Sequence, residues 1–277
     1  MTKRIKITLK ILISVVLFFA VLLGVALIGN RFKKVKRQFF PDYPKIDLSL
    51  ILEKDVLTDE DYDILYSQTG LTKIGIDRLN NDAFGKGKII EIQNDYFTDY
   101  KTTVEMVSPF GNQHVYETWI KHVYLEDGDI LVTDTTNFSF WRCGHSEIVV
   151  DGSKEYTLFS AGYGTKSEIM NCNDFFWRIN FAVYRVKCDD ETRKKVVDFA
   201  KTLEGHNYLA TVGFTTPKNP KKLGLTNCGH IVWYCYQKFG IDIDGNGGAG
   251  VFPSDFTLSD KLELVQVYGF NPDKVKW

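Results

Sequence analysis

The stretch Asn227–Tyr236, with the sequence NCGHIVWYCY, contains a Cys-Gly-His tripeptide that also occurs within Trp141–Val150, WRCGHSEIVV. The residues that follow the first tripeptide are largely β-branched, so His145 is predicted to begin a strand. After the second tripeptide, apolar residues recur every three to four positions, which predicts a helix that begins near Cys228. The same tripeptide is therefore predicted to begin two different elements.

A cysteine in the first turn of a helix has a distinctive electrostatic environment. Thr226 or Asn227 can cap the predicted helix, which leaves Cys228 beside unpaired N–H groups and the positive end of the helix dipole. Both favour a thiolate, so we expect a lowered pKa for Cys228, and the same N–H groups can stabilise an oxyanion. A thiol nucleophile also needs an imidazole within hydrogen-bond reach, and His145 is the candidate.

Other interpretations of the repeated tripeptide remain open. If Cys228 and His145 form the reactive pair, Cys143 and His230 are bystanders. The four side chains could instead form a zinc site, although the C-x-H spacing is tighter than the usual gap between paired ligands. A cysteine at a helix start can also be a small buried residue without chemistry. We expect no metal and no cofactor.

Composition excludes several classes of protein. The chain has 277 residues and a formal net charge of −1, with no polybasic region of domain size, so nucleic acid is not expected as a partner. The cysteines form an odd set without CxxC spacing, which does not indicate a disulfide framework and leaves at least one free thiol. They lie at positions 143, 172, 188, 228 and 235.

The N-terminal region contains an uncharged apolar run at residues 11–29, just long enough to cross a bilayer as a helix. A cleaved signal peptide is the alternative, but no A-x-A-like site follows the run. We expect a single-pass anchor in residues 1–30, a basic and aromatic stalk in 31–45, and one domain in 46–277. Basic residues flank the run on both sides, so the positive-inside rule does not give the orientation.

The order of helices and strands follows from spacing and capping. Thr58 begins a predicted helix that ends near Gly70, a short helix is expected over 74–80, and 88–97 is ambiguous. A further helix is expected over 191–203, and Gly240 is expected to end the helix that begins near Cys228. Strands are expected at 128–134, 145–151, 155–161 and 180–187.

Further along, DIDGNGG at 242–248 begins like a calcium loop but has Pro253 where a bidentate Glu is expected, so it is interpreted as an ordinary loop. Aromatic residues near the strands are predicted to be mostly core, with some able to form an apolar wall for an acyl chain or a bilayer surface. They are Phe138, Phe140, Trp141, Phe175, Phe176 and Trp177.

Several of these motifs, in this order, resemble the circularly permuted branch of the NlpC-type papain-like cysteine hydrolases, the YiiX/YebB-like family. The resemblance covers about residues 59–253. It is carried by YSQTGL at 66–71, LEDGDILVT at 125–133, WRCGHSEIVVDG at 141–152, GHNY at 205–208 and NCGHIVWYCYQKFGIDIDGNGG at 227–248.

The resemblance implies an α+β papain-like fold in which a nucleophile helix packs on an antiparallel sheet or barrel. It also implies thiol attack by Cys228, with His145 as the base, and an acyl-enzyme. The third polar residue of relatives is often a Glu that here aligns with Ser160, so Ser160, Glu155 or another acid is expected in that role. Tyr208 matches a tyrosine that lines the site or donates to the oxyanion.

Two functions from different classes follow. The first is a membrane-anchored cysteine hydrolase, with the body outside the cytoplasm, that cleaves an amide, peptide or ester bond in envelope material or lipid. The second is a degenerate papain-like domain that binds envelope or lipid ligands with little or no turnover, which the serine at position 160 favours. The sequence does not decide whether the substrate is a peptide or a lipid, or whether the reaction is hydrolysis or acyl transfer.

Overall fold

The structure is a computed structural model that describes residues 3–32, 39–108, 111–138, 141–160 and 162–275. Its helices are α1 (Lys3–Phe32), α2 (Ser49–Leu52), α3 (Asp59–Thr69), α4 (Lys73–Asn80), α5 (Gly85–Tyr96), α6 (Asp190–Ala200), α7 (Cys228–Gln237) and α8 (Pro253–Phe256), with a 3₁₀ helix at Asn173–Trp177. Its strands are β1 (Thr102–Ser108), β2 (Gly111–Tyr116), β3 (Ile130–Thr133), β4 (Thr136–Phe138), β5 (Trp141–Arg142), β6 (His145–Asp151), β7 (Tyr156–Phe159), β8 (Glu168–Asn171), β9 (Phe181–Val186) and β10 (Leu262–Tyr268).

The strands form two sheets. The larger has the order β10-β9-β3-β6-β7-β8, the smaller β1-β2-β4-β5, and every pair of neighbouring strands is antiparallel. The chain therefore has mixed α+β architecture with antiparallel sheets and one N-terminal apolar helix, which confirms this part of the sequence-based prediction.

Both faces of the six-stranded sheet are buried, because alternate side chains of its central strands enter two different cores. On β3, Ile130 and Val132 pack with α6 and α7, whereas Leu131 packs with α3, α4 and α5. Side chains alternate across a strand, so one apolar run can serve two cores. This arrangement explains why the central strands are apolar at almost every position rather than at every second one.

The predicted helix starts and strands agree with the structure to within a few residues. Thr58 caps α3 through a reciprocal capping box with Asp61, and Gly70 ends that helix in the left-handed region at φ 71°. The ambiguous stretch 88–97 lies in α5. The region of β1 and β2, and strand β10, had no sequence-based assignment. The reason is that these strands depend on distant partners rather than on a strong local pattern.

Helix α1 contains a stretch, Ile7–Val25, that is long and apolar enough to span a membrane, with a mean hydropathy of 2.6. Residues 33–38 of the predicted stalk lie outside the described residues. Residues 39–45 do not stand away from the body: the Phe39 N–H donates to the Gly269 carbonyl at 3.1 Å, and Pro41 is buried.

One end of the six-stranded sheet carries several residues used below. Tyr268 of β10 pairs with Phe181 of β9, and the neighbouring register on β9 and β3 continues that row to Thr133, which pairs with His145 of β6. The chain leaves β3 at this end, forms β4 and β5 beyond it, and returns as β6. His145 is therefore the first residue of an inner strand, at the end of the sheet, where its side chain can meet the start of a helix.

Candidate active site

Cys228 is the first residue of α7. The Asn227 side chain caps this helix by accepting from the His230 N–H at 2.8 Å, as the sequence predicts. The backbone N–H groups of Ser146 and Gly229 lie near the Cys228 sulfur and help to lower the pKa of the thiol. The thiol is thus partly buried at a helix N-terminus, where the local dipoles favour negative charge.

The structure places the side chains of Cys228 and His145 next to each other, close enough that each shifts the pKa of the other. Burial alone would raise the pKa of Cys228, but its interaction with the His145 imidazole and the nearby N–H groups lower it. Burial alone would lower the pKa of His145, but Cys228 and Glu147 outweigh it and raise the pKa to about 9. These opposite shifts favour a thiolate–imidazolium pair at neutral pH.

Glu147 orients this imidazole. His145 Nε2 lies 3.2 Å from Glu147 Oε1, and the Thr157 hydroxyl donates to the other carboxylate oxygen. Burial tends to raise the pKa of Glu147, but the hydrogen bond to His145 and the charges of His145 and Arg178 keep it below its ordinary value. Because Nε2 faces Glu147, the Nδ1 atom is left for Cys228, so the ring is fixed between an acid and a thiol.

Glu147 is the acid beside His145 that the sequence analysis did not name, and Ser160 is not in contact with the imidazole. The Ser160 side chain is fully buried, and its Oγ has no hydrogen-bond partner among the described residues. Glu155 contacts His122 at 3.7 Å rather than His145. A signal was present: in His145-Ser146-Glu147, residues i and i+2 of one strand point to the same face.

Tyr208 lines the same cavity as Cys228 and His145. It is held there by its N–H, which donates to the Thr165 carbonyl at 3.1 Å, and by a bridge to Thr226 just before α7. Burial and the nearby charge of Cys228 raise the pKa of Tyr208. The phenol therefore keeps its proton at neutral pH and can act as an O–H donor, in keeping with the position expected for it.

The other members of the two tripeptides have different environments. Cys143 also lines the cavity, but burial and the charge of Cys228 raise the pKa of its thiol to about 12. His230 is buried, with Nδ1 3.1 Å from the Thr226 hydroxyl and its ring stacked on Trp233. Burial, with a smaller contribution from Lys218, lowers the pKa of His230 to about 4.

The cavity beside Cys228 has a volume of about 330 Å³, and none of the described residues that line it is Asp, Glu, Lys or Arg. Aromatic rings make a continuous wall, with Trp141 and Phe214 each packed against Phe252 at centroid distances of 5.4 and 5.8 Å. Apart from Cys228 and His145, the polar side chains that line it are uncharged amides and hydroxyls. Such a site suits an apolar ligand held by a few directed hydrogen bonds.

The aromatic residues singled out in the sequence separate into several environments. Phe138 and Trp141 line the cavity, whereas Phe175 and Phe176 are buried in the core. Trp177 lies on the 3₁₀ helix at a different surface depression. Phe140 lies outside the described residues. The predicted apolar wall is therefore built partly from other aromatics, chiefly Phe214, Phe252, Tyr163 and Tyr208.

Among the described residues, the structure contains no ligand cluster for either the zinc or the calcium interpretation. Across the described part of the chain, no group of three or more His, Cys, Asp and Glu side chains has a metal-binding arrangement. In the loop 242–248, the acidic oxygens have protein partners: Asp242 accepts from Trp233 Nε1 at 2.9 Å, and Asp244 accepts from Lys218. The loop is thus held by hydrogen bonds and an ion pair.

Comparison with known proteins gives limited information. A segment of 81 residues is 35% identical to the uncharacterized protein YycO of Bacillus subtilis (strain 168), which covers 29% of this chain and 32% of that protein. The chain thus matches about a third of the length of that relative. No family model matches the chain, and no solved structure matches it. Similarity alone therefore assigns neither family nor activity, and any functional inference depends on the site.

Proposed function

We propose that the protein is a membrane-anchored cysteine hydrolase that cleaves an amide or ester bond through an acyl-enzyme on Cys228. The observation that carries the proposal is the pairing of the Cys228 thiol with the His145 imidazole at the wall of one open cavity, where each shifts the pKa of the other. A papain-like arrangement of the permuted NlpC type, with the His-bearing strand before the Cys-bearing helix, is proposed with it.

The first half-reaction forms the acyl-enzyme. With the thiol proton on His145, the Cys228 sulfur attacks the substrate carbonyl carbon, a C–S bond forms, and the carbonyl electrons move to the oxygen. The first N–H groups of α7 and the Tyr208 hydroxyl are the available donors to that oxyanion. His145 then protonates the leaving amine or alcohol as its bond to the carbonyl carbon breaks.

The second half-reaction releases the acid. Water attacks the thioester while His145 accepts a proton from it, the C–S bond breaks, and the thiolate–imidazolium pair is restored. Another alcohol or amine in place of water would give acyl transfer by the same steps. Glu147 remains ionised throughout and stabilises the imidazolium, as a carboxylate does and a serine hydroxyl does not.

The cavity favours an apolar, uncharged acyl group on the substrate. Apart from the Cys228–His145 pair, no charged side chain among the described residues lines it, so a charged acyl group away from that pair would lose hydration without a compensating partner. The aromatic wall of Trp141, Phe252 and Phe214 offers contact to an acyl chain or to an apolar side chain of a peptide. This supports an acyl chain more strongly than a charged peptide.

The alternative function, a binding domain without turnover, was favoured by the absence of a carboxylate beside the imidazole. Glu147 supplies a carboxylate in that position, which supports turnover. We also propose that α1 spans the membrane and that the body lies outside the cytoplasm, in line with the family resemblance. Protease protection of the chain in sealed cells, compared with lysed cells, tests the orientation.

The chemistry is tested by trapping the acyl-enzyme. The full chain in detergent is incubated with p-nitrophenyl hexanoate, and tryptic peptides are examined for a hydroxylamine-sensitive acyl group. We expect it on the Cys228 peptide, strongly reduced in His145→Ala and absent in Cys228→Ser, with a weaker yield from an ester whose acyl chain ends in a carboxylate. Equal acylation of all five cysteines, or none on Cys228, would contradict the proposal.

A further inference from the structure

We infer that the surface around the mouth of the Cys228 cavity docks on the lipid bilayer that holds α1. This surface, the aromatic rim, consists of Phe138, Trp141, Tyr163 and Phe214, all of which line the cavity. The inference depends on the proposed membrane span of α1, but it does not depend on the proposed chemistry at Cys228. Its consequence is that the cavity opens at the membrane surface rather than towards bulk water.

The aromatic rim exposes an unusual amount of apolar surface. Its four side chains are between 40 and 74% exposed, and they surround one opening. Single exposed apolar residues are normal, but a cluster of large aromatic rings around a pocket indicates an interaction surface. Tryptophan and tyrosine are also the residues that favour the boundary between lipid and water, because their rings are apolar and carry one polar group.

The length of the tether brings the body close to the bilayer. Six residues, 33–38, separate the end of α1 at Phe32 from Phe39, which is hydrogen-bonded to the body through Gly269. Seven residue steps reach at most about 25 Å even when fully extended. A body of about 230 residues is about 45 Å across, so the tether is shorter than the body it holds. The side that carries Phe39 must therefore face the membrane.

The cavity lies on that same side. Phe39 is attached beside Tyr268 of β10. From Tyr268, a row of neighbouring residues runs across the end of the sheet through Phe181 of β9 and Thr133 of β3 to His145 of β6. Three strand spacings separate Tyr268 from His145, which corresponds to about 14 Å. Trp141 and Phe138 lie on β5 and β4, which follow the end of β3 at which Thr133 pairs with His145. The attachment point at Phe39 and the aromatic rim thus lie at the same end of the six-stranded sheet.

The charge distribution is consistent with a lipid partner. Apart from Cys228 and His145, no charged residue of the described chain lines the cavity, and the four residues of the aromatic rim carry no charge, so the rim can approach the apolar part of a bilayer without a charge-desolvation cost. The tether has the sequence KKVKRQ at 33–38, with four basic residues that are attracted to anionic headgroups. A soluble protein partner would need no such combination of a basic tether and an uncharged rim.

The test uses the full chain in vesicles of phosphatidylcholine and phosphatidylglycerol, with and without phosphatidylcholine brominated on its acyl chains. Bromine quenches tryptophan at contact distance, and none of the five tryptophans lies in α1, so the signal reports on the body. We expect quenching in the wild type and loss of at least half of it in Trp141→Phe. The matched control Trp177→Phe, which removes a ring 38% exposed outside the rim, should leave the quenching unchanged.

A charge on the rim provides a second variant. Phe214→Asp places a carboxylate on an exposed position, so we expect it to lower the quenching of Trp141 at least twofold while the fluorescence spectrum in detergent stays that of the folded chain. Equal quenching in the wild type and Trp141→Phe overturns the inference. Burial of the aromatic rim in a dimer of the chain would also overturn it, because the partner of the rim would then be a second copy rather than the bilayer.

The membrane span of α1, the docking of the aromatic rim and the chemistry at Cys228 each have a separate experimental readout. Release of the wild-type chain from vesicles by alkaline carbonate would show that α1 does not span the bilayer, and it would overturn the docking inference with it. Retention of the chain without quenching of Trp141 overturns docking alone. Acylation of Cys228 in detergent is measured without a bilayer, so its failure overturns the proposed hydrolase and leaves the docking result intact.

Discussion

The two Cys-Gly-His tripeptides are identical in sequence, but the pKa values of their cysteines and histidines are shifted in opposite directions. In the first, at 143–145, the histidine faces the cavity and the cysteine keeps its proton, with a pKa of about 12. In the second, at 228–230, the cysteine faces the cavity with a lowered pKa, and the histidine is buried with a pKa of about 4. The local structure therefore decides which residues are paired: the histidine at the start of a strand and the cysteine at the start of a helix lie together at the cavity.

The two glycines differ in the same way. Gly144 adopts φ +69°, and a Cβ there would lie 2.5 Å from the Thr133 carbonyl oxygen, so it makes the tight turn into β6. At Gly229, a Cβ would lie 2.4 Å from the Val251 carbonyl oxygen. The second glycine therefore allows close approach of the helix start to a neighbouring loop. One residue type meets two separate requirements.

The largest effect that would break this comparison concerns the two cysteines. An ordinary thiol is only about 1% thiolate at pH 6.5, so iodoacetamide at that pH should modify Cys228 about 100-fold faster than the other cysteines. Burial raises the pKa of Cys143, Cys172, Cys188 and Cys235. Cys228→Ser should abolish the fast phase, and Cys143→Ser should keep it within about twofold. Equal rates at both tripeptides, read by peptide mass spectrometry, would remove the distinction.

The next effect tests the two glycines against a third. Gly144→Ala and Gly229→Ala should each lower the free energy of unfolding by about 2 kcal/mol, the first through backbone strain and the second through overpacking. At Gly87 in α5, an added Cβ would have no neighbouring atom within 4 Å, so Gly87→Ala should raise the free energy of unfolding by up to about 1 kcal/mol. Urea unfolding of the body in detergent, followed by tryptophan fluorescence, measures all three.

A tenfold effect is expected at the acid that orients the imidazole. Glu147→Gln removes a negative charge beside His145, which should lower the His145 pKa by about one unit and raise that of Cys228. The pH profile of Cys228 alkylation should then move up by about one unit, so that the rate falls about tenfold at pH values below the wild-type midpoint. Ser160→Ala is the matched control and should leave the profile unchanged. A shifted pH profile in Ser160→Ala and an unchanged profile in Glu147→Gln would instead support Ser160 as the third residue.

The smallest effect concerns the histidine of the second tripeptide. His230 has a folded-state pKa of about 4, below the ordinary value of 6.5, so the unfolded chain binds more protons between these pH values. Its contribution to stability should therefore fall as the pH drops from 6.5 to 4, by about 1 kcal/mol at pH 5.5. His230→Gln should flatten the pH dependence of unfolding in this window. An unchanged slope would mean that His230 is not held neutral.

The sequence by itself determined the features that depend on neighbouring residues. The apolar run at the N-terminus, the cap and start of α3, the strand at 145–151 and the helix from Cys228 were all predicted, because periodicity and capping act over a few residues. The electrostatic benefit of a cysteine at a helix start is local too. The choice of Cys228 over Cys143 as the candidate nucleophile therefore needed no tertiary information.

Only the tertiary structure decided which distant groups meet. It placed Glu147 beside His145, buried Ser160 with no hydrogen-bond partner among the described residues, joined β10 to β9, and put the aromatic rim and the attachment of Phe39 at one end of the sheet. Such contacts join residues far apart in the chain, and they are selected by burial and packing of the whole body rather than by local propensity. A one-dimensional pattern specifies which side chains can react or dock, whereas the folded chain decides which of them face the same cavity.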